Sequence, residues 1–399
     1  MKISKRGKEI QASPIRRLVP YSDEAKKRGI KIYHLNIGQP DIPTPRPIID
    51  AIKKYNDEVL SYGPSTGLPE LKRQISFYFQ RYGIPINEDE VIITVGGSEA
   101  ILFSFNVVAD PGDEIIVPEP FYTNYNGYAS MANLKIKPAT MKAEDGFRPP
   151  KIKDFEKKIS KRTRAMLLNS PNNPTGTVYT KEELSEIVTL VKKYDLFLIS
   201  DEVYKEFIYD GITHTSILEF PDIYDRAIVV DSISKRFSAC GARVGAVVSK
   251  NQKVIESLTK FAQARLCPQT IEQLGAIAAY KMDPSYFEPI KKEYERRRNL
   301  MYEELSNVEK VILKKPQGAF YMIVKLPVKN AEDFAIWLMK DFSIDGESVM
   351  VAPGNGFYAT PNSGEDEVRI AYVLKEEDLK KALRIFKEGL NKYKEIKEE

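Results

Sequence analysis

The chain is poor in the residues that build disulfide frameworks and metal centres. Its 399 residues include two cysteines, Cys240 and Cys267, and two histidines, His34 and His214. That excludes a disulfide scaffold and leaves too few soft ligands for a zinc or iron–sulfur site, so no metal is expected. A reducing cytoplasm suits such a chain. Long apolar runs are also missing: no segment approaches the roughly 20 apolar residues that cross a bilayer. The opening MKISKRGKEIQASPIRR has basic residues without an apolar stretch behind them, so neither export nor membrane insertion is expected. There is no excess of charge of one sign either. The 60 basic and 56 acidic side chains are interspersed and leave a formal net charge of +4. This argues against nucleic acid or a membrane surface as a partner.

With 42% hydrophobic residues, the chain can bury a sizeable core. From about Asp89 to Lys250, short apolar runs alternate with amphipathic stretches, the pattern of strands and helices laid down in turn. Strands are predicted at Val91–Val95, Glu114–Val117, Leu134–Lys137, Arg164–Leu168, Leu196–Ser200, Ala227–Asp231 and Arg243–Val248. Between them, Leu184, Ile187, Val188 and Val191 mark one buried face of a helix over Lys181–Tyr194, with Thr180 as N-cap and Glu183 completing a capping box. Helical crossovers of this kind favour a mainly parallel sheet covered on both faces. The fold class is therefore α/β, with a large domain over 48–290. A smaller α/β domain comprises 1–47 and 291–399, with strands at Ala319–Lys325 and Val368–Val373 and helices at Ala331–Lys340 and Glu376–Tyr393. The run KKEYERRRNLMYEEL reads as a long connecting helix, and the terminal KYKEIKEE is expected to fray.

In open parallel sheets, ligands sit beyond the carboxyl ends of the strands. Four such places carry polar residues. After VIITV, Gly96 and Gly97 open a helix with Ser98 and Glu99; free N–H groups there suit a phosphate, and serve equally as a capped turn. After LFLIS come Asp201 and Tyr204. A carboxylate there can hold a protonated ring nitrogen, a phenol can donate to a ring oxygen, and a helix cap is the plainer use. After AIVVD come Ser232, Ser234 and Lys235, then Arg243 eight positions on. This lysine suits imine formation beside phosphate-binding neighbours, although alone it could be a surface lysine. After MLL, NSPNNPTG fixes Asn173 before a proline with its amide free.

Together, NSPNNPTG, SDEVY and SISKRFSACGARVG resemble the signature of the class I aminotransferases, which have the fold type I of pyridoxal phosphate enzymes. The resemblance runs from LNIGQPD to EVRIAY. It implies that Lys235 carries pyridoxal 5'-phosphate as a Schiff base, that Asp201 binds the pyridine nitrogen, and that Tyr204 and Asn173 contact the ring hydroxyl. Ser98, Ser232, Ser234, Arg243 and the backbone of Gly97 and Glu99 would hold the phosphate, and Tyr122 would stack on the ring. Tyr62 matches a tyrosine that reaches the neighbouring subunit's site, implying a homodimer with shared active sites. Arg369 matches the arginine that clamps the substrate α-carboxylate, close to Gly38. The implied activity is ping-pong transfer of an amino group from an L-amino acid to 2-oxoglutarate, with aspartate the favoured donor. Ser98 stands where one aspartate-specific branch has a lysine, so Arg265 and Arg16 become the candidates to read a distal carboxylate. Alanine or aromatic donors, a carbon–sulfur β-lyase and a non-catalytic ligand sensor are the competing readings. A sensor of that kind needs a DNA-binding segment, and none is visible.

Overall fold

The computed structural model describes residues 1–398. Its strands in chain order are β1 (Lys31–His34), β2 (Val91–Thr94), β3 (Glu114–Glu119), β4 (Lys135–Thr140) and β5 (Thr163–Asn169). They continue with β6 (Phe197–Asp201), β7 (Ala227–Ser232), β8 (Gly245–Val248), β9 (Ile312–Leu313) and β10 (Tyr321–Lys325). The last three are β11 (Glu347–Met350), β12 (Ala352–Pro353) and β13 (Glu367–Ala371).

Seven strands form one sheet in the order β2-β8-β7-β6-β5-β3-β4. Only β8 runs against its neighbours, β2 and β7; the other pairings are parallel. Side chains along a strand alternate between faces, and the core divides accordingly. Ile93, Val229 and Val248 pack with Leu71, Phe79, Leu184 and Ala276 on one side. Ile92, Val230 and Val247 pack with Ala100, Phe105, Val254 and Leu258 on the other. Burial on both faces explains why these strands read as continuous apolar runs. The helix Lys181–Lys193 shows how closely local sequence dictates structure here. Glu183 N–H donates to Thr180 Oγ1 (3.2 Å) and Thr180 N–H to Glu183 Oε2 (2.9 Å), while Leu184, Ile187, Val188 and Val191 are buried.

The C-terminal part builds an antiparallel sheet, β12-β13-β10-β9. The N-terminal segment returns to it through β1, which pairs in parallel with β11. Leu18, Leu35, Phe320, Met350, Ile370 and Leu383 share its core. A 20-residue helix, Phe287–Ser306, makes the expected long connection.

Strand boundaries depart from expectation where function or turn geometry intervenes. Arg243 does not open β8; it lies before the strand in the left-handed region (φ 52°). Strand β4 runs on to Thr140 because its pairing with β3 continues to Glu119. The final helix, Glu376–Glu398, is regular to the end of the described residues; Glu399, the last residue of the segment expected to fray, lies outside them. Among the described residues, no helix is long and apolar enough to cross a membrane.

Candidate active site

The carboxyl ends of β2, β5, β6 and β7 open into a cavity of about 680 Å³, closed from the other side by the N-terminal segment and β13. Lys235, Asp201, Tyr204, Asn173, Tyr122, Gly97, Ser98, Ser232, Ser234, Arg243, Gly38, Arg369 and Arg16 all line it. Residues spread over 354 positions of the sequence thus meet in one space, because each follows a strand or sits on the segment facing those strand ends.

Lys235 sits in a short helix, Ile233–Arg236, that Ser232 caps by accepting from Ser234 N–H (3.1 Å). The Ser232 and Ser234 hydroxyls are 2.8 Å apart. Lys235 Nζ reaches across the cavity to the Gly38 carbonyl (2.9 Å). Opposite the serines, Gly96 takes φ +74° to start the helix Gly96–Val108. A Cβ on Gly96 would lie 2.4 Å from Arg243 Nη2. Only glycine lets the guanidinium approach this helix start, where free N–H groups and the helix dipole already favour an anion. Glu99 is different: its carboxylate caps Val95 N–H (2.8 Å) and pairs with Arg265 (3.1 Å).

Asp201 ends β6 fully inside the protein. Tyr125 O–H donates to its Oδ2 (2.7 Å) and Val203 N–H to its Oδ1 (3.3 Å). It has no cationic partner among the described residues, and burial pushes its carboxyl up to about 6 despite the hydrogen bond from Tyr125. A ligand bringing a protonated ring nitrogen would supply the missing charge, so the site fits a pyridinium ring bearing a phosphate. Tyr125, three residues beyond Tyr122, escaped the sequence reading; the helical spacing in EPFYTNY is the signal that could have found it.

Arg369, on β13, is 2% exposed. Its Nη1 donates to Asn173 Oδ1 (3.0 Å) and Nη2 to the Asn36 carbonyl (2.5 Å). The guanidinium lies over Tyr321 and Phe357, with centroids at 4.5 and 4.9 Å. Its Nε has no hydrogen-bond partner among the described residues. Tyr321, also missed from sequence, places its hydroxyl 2.9 Å from that of Tyr204 and 3.4 Å from the Gly38 carbonyl. A Cβ on Gly38 would collide with it at 1.7 Å, which accounts for glycine there.

Two expected residues, Arg265 and Tyr62, lie apart from the cavity wall. The Glu99 carboxylate is turned into its cap and ion pair, while its backbone, the part expected at the phosphate, lies in the first turn of the helix Gly96–Val108. Arg265 is held away by Glu99 and by the carbonyls of Ser65 (2.9 Å) and Ile93 (3.3 Å). With its guanidinium bound to these groups, this arginine serves the loop rather than the cavity. Tyr62 is 82% exposed, near Val59 and Leu60, which are 70% and 62% exposed.

The family model for aminotransferase class I and II matches residues 30–386. An aspartate aminotransferase of Sulfurisphaera tokodaii is 34% identical over 376 residues, covering 92% of each chain. Aromatic-amino-acid aminotransferase 2 of Thermococcus litoralis is 32% identical over 392 residues, covering 96% of this chain and 97% of its own. Among solved structures, an alanine aminotransferase from Pyrococcus furiosus superposes with a TM-score of 0.90 at 32% identity, over 98% of this chain and 100% of that one. Class I members of this family work with pyridoxal phosphate. The family match and these likenesses extend over essentially the whole chain, which belongs to the class I and II aminotransferases.

Proposed function

We propose that this aminotransferase binds pyridoxal 5'-phosphate on Lys235 and moves the amino group of an L-amino acid, aspartate by preference, to 2-oxoglutarate. The observation that carries this reading is a single cavity holding a reachable lysine, an uncompensated buried carboxylate, an anion cradle and a buried arginine. When bound, the cofactor supplies an electron sink for the pair left as the substrate Cα proton departs. Lys235 Nζ is the base for that proton. Asp201 keeps the ring nitrogen protonated, and Tyr204 donates to the ring oxygen. Arg369 and Asn173 would hold the α-carboxylate in the cavity that Lys235 also lines. Gly97, Ser98, Ser232, Ser234 and Arg243 hold the phosphate end, and Tyr122 covers the ring. Because the oxo-acid product leaves before 2-oxoglutarate enters, ping-pong kinetics follow.

For a distal carboxylate, Arg16 is the supported cation. It lines the cavity and has no ion-pair partner among the described residues. Ile15 and Val19 of the same segment, with Ile37, also line it, which favours acceptance of aromatic donors beside aspartate. The exposed Tyr62 and its apolar neighbours support a homodimer with shared sites. The cores on the two faces of the large sheet support a domain over 48–290, and the core shared by the N- and C-terminal parts, which also takes in Tyr204, Phe207 and Tyr209, supports one over 1–47 with 291–399. Two unpaired cysteines suit a cytoplasmic setting.

The test is a panel of amino donors against 2-oxoglutarate with wild type, Arg16→Ala and Lys235→Ala. Lys235→Ala is expected to abolish transfer and the visible absorption of bound cofactor. Arg16→Ala is expected to lose dicarboxylate donors selectively. Ammonia release without an oxo-acid acceptor would instead favour a lyase.

A further inference from the structure

Behind the cavity, on the far side of the helix that carries Lys235, lies a second charged cluster. Its members are the chain neighbours of three cavity residues: Lys205 follows Tyr204, Asp231 precedes Ser232, and Arg236 follows Lys235. All three point away from the cavity and are almost wholly buried, with side-chain exposures of 6% for Lys205, 1% for Asp231 and 0% for Arg236. Asp231 sits between the two cations. Arg236 Nη2 donates to both its oxygens (2.5 and 2.7 Å), and Lys205 Nζ is 3.6 Å from Oδ2. Asp231 Oδ1 also accepts from Ser232 N–H (2.8 Å).

Aromatic rings wall the cluster. Lys205 Nζ lies 3.9 Å from the Phe79 centroid and 4.4 Å from that of Tyr78. The Arg236 guanidinium stacks on Tyr78 at 4.3 Å and donates to Tyr280 Oη (3.2 Å). Glu206 closes the box by accepting from the hydroxyls of Tyr78 and Tyr82. Burial would by itself raise the Asp231 carboxyl, but Arg236 and Lys205 hold it below the usual carboxylate range. The aspartate is therefore ionised and shared.

We propose that Asp231 is a positioning residue: through Arg236, Lys205 and the Ser232 N–H it fixes the spacing between Lys235, Tyr204 and Ser232. This rests on the reading that those three meet pyridoxal phosphate. Burying three charges is costly and gives little net stability over apolar packing. A rigid tie between three functional backbone positions is what such a cluster adds. The cluster touches neither cofactor nor substrate, so its removal acts through the geometry of the cavity.

The experiment compares wild type, Asp231→Asn and Lys205→Met. Asp231→Asn leaves two buried cations facing a neutral amide. Lys205→Met keeps the Asp231–Arg236 pair and fills the aromatic box with a thioether that packs well on rings, so it provides a folded variant even where the first does not fold. Apoprotein is titrated with pyridoxal phosphate by fluorescence quenching; circular dichroism and thermal midpoint monitor folding, and kcat and donor KM are measured at saturating cofactor. Weaker cofactor binding is expected, with kcat lower by about 100-fold in Asp231→Asn and about tenfold in Lys205→Met, as when outlying groups that orient a reacting constellation are removed. Donor KM is expected to stay near wild type, since the Arg369 subsite is untouched. A lower thermal midpoint with unchanged cofactor affinity and kcat in Lys205→Met would overturn the proposal. A wild-type apoprotein that takes up no pyridoxal phosphate overturns the underlying reading and the proposal with it.

Discussion

Replacing Asp201 by asparagine separates two properties that the carboxylate combines. In the apoprotein its carboxyl is pushed from 3.8 up to about 6 by burial. A folded-state value above the unfolded one means that the folded chain keeps a proton the unfolded chain has released. Stability therefore falls as pH rises through the window from 3.8 to about 6, and the full penalty stands above it. At about 1.36 kcal/mol per unit, that penalty is on the order of 3 kcal/mol. Asparagine keeps one acceptor, for Val203 N–H, and turns its amide N–H toward the Tyr125 hydroxyl, which can accept in return, and it has no charge to desolvate. With roughly 2.1 cal/mol/K of unfolding entropy per residue, the difference corresponds to a rise in the apoprotein thermal midpoint of about 4 °C. The assay is the melting of both apoproteins from about pH 4 to about pH 8. The gap between variant and wild type should open with pH and reach its plateau above about 6. In the presence of pyridoxal phosphate the order should reverse, since the ring nitrogen offers Asp201 its counter-charge, and the variant should lose turnover. A gap that is the same at both ends of the pH range would refute the assignment of an uncompensated carboxylate to this position.

Gly96→Ala should weaken binding of pyridoxal phosphate, since a Cβ there meets Arg243 Nη2 at 2.4 Å in a backbone with φ +74°; wild-type affinity in a calorimetric titration would contradict the cradle. Shared sites predict complementation. When Tyr62→Ala and Lys235→Ala proteins are unfolded, mixed and refolded together, heterodimers with one intact site should restore about a quarter of wild-type activity. No recovery, with dimers formed, would reject the role of Tyr62.

Much of this is legible in the sequence, for a physical reason. In a parallel sheet the chain advertises each functional position by placing it after an apolar strand, so Asp201, Ser232 and Lys235 could be located by counting along one segment at a time. The signals that failed are those that depend on pairing between distant segments. Nothing local in VGAVV says that β8 runs antiparallel, and the apolar run predicts Arg243 inside that strand, whereas it sits before it with a left-handed backbone, beside Gly96. Arg265 resembled a free cation because its partner Glu99 lies 166 positions away. Nothing in the predicted strand Ala319–Lys325 singles out Tyr321, since only the return of the N-terminal segment brings Gly38 against its hydroxyl. The cluster around Asp231 was invisible for a related reason. Lys205 and Arg236 look like surface charges until the fold brings their side chains against Tyr78 of the helix Pro69–Arg81.

The confinement of Arg369 has a further consequence for what the enzyme refuses. Sandwiched between Tyr321 and Phe357 and tied to Asn173 and Asn36, the guanidinium cannot swing out to water when the cavity fills with the wrong molecule. An amine without an α-carboxylate would displace solvent from the cavity and leave this cation desolvated and unmatched, a penalty larger than any attraction its remaining atoms could return. Biogenic amines and amino-acid amides would thus be turned away by the cation they leave stranded, and the discrimination resides in a side chain whose immobility was settled when the protein folded.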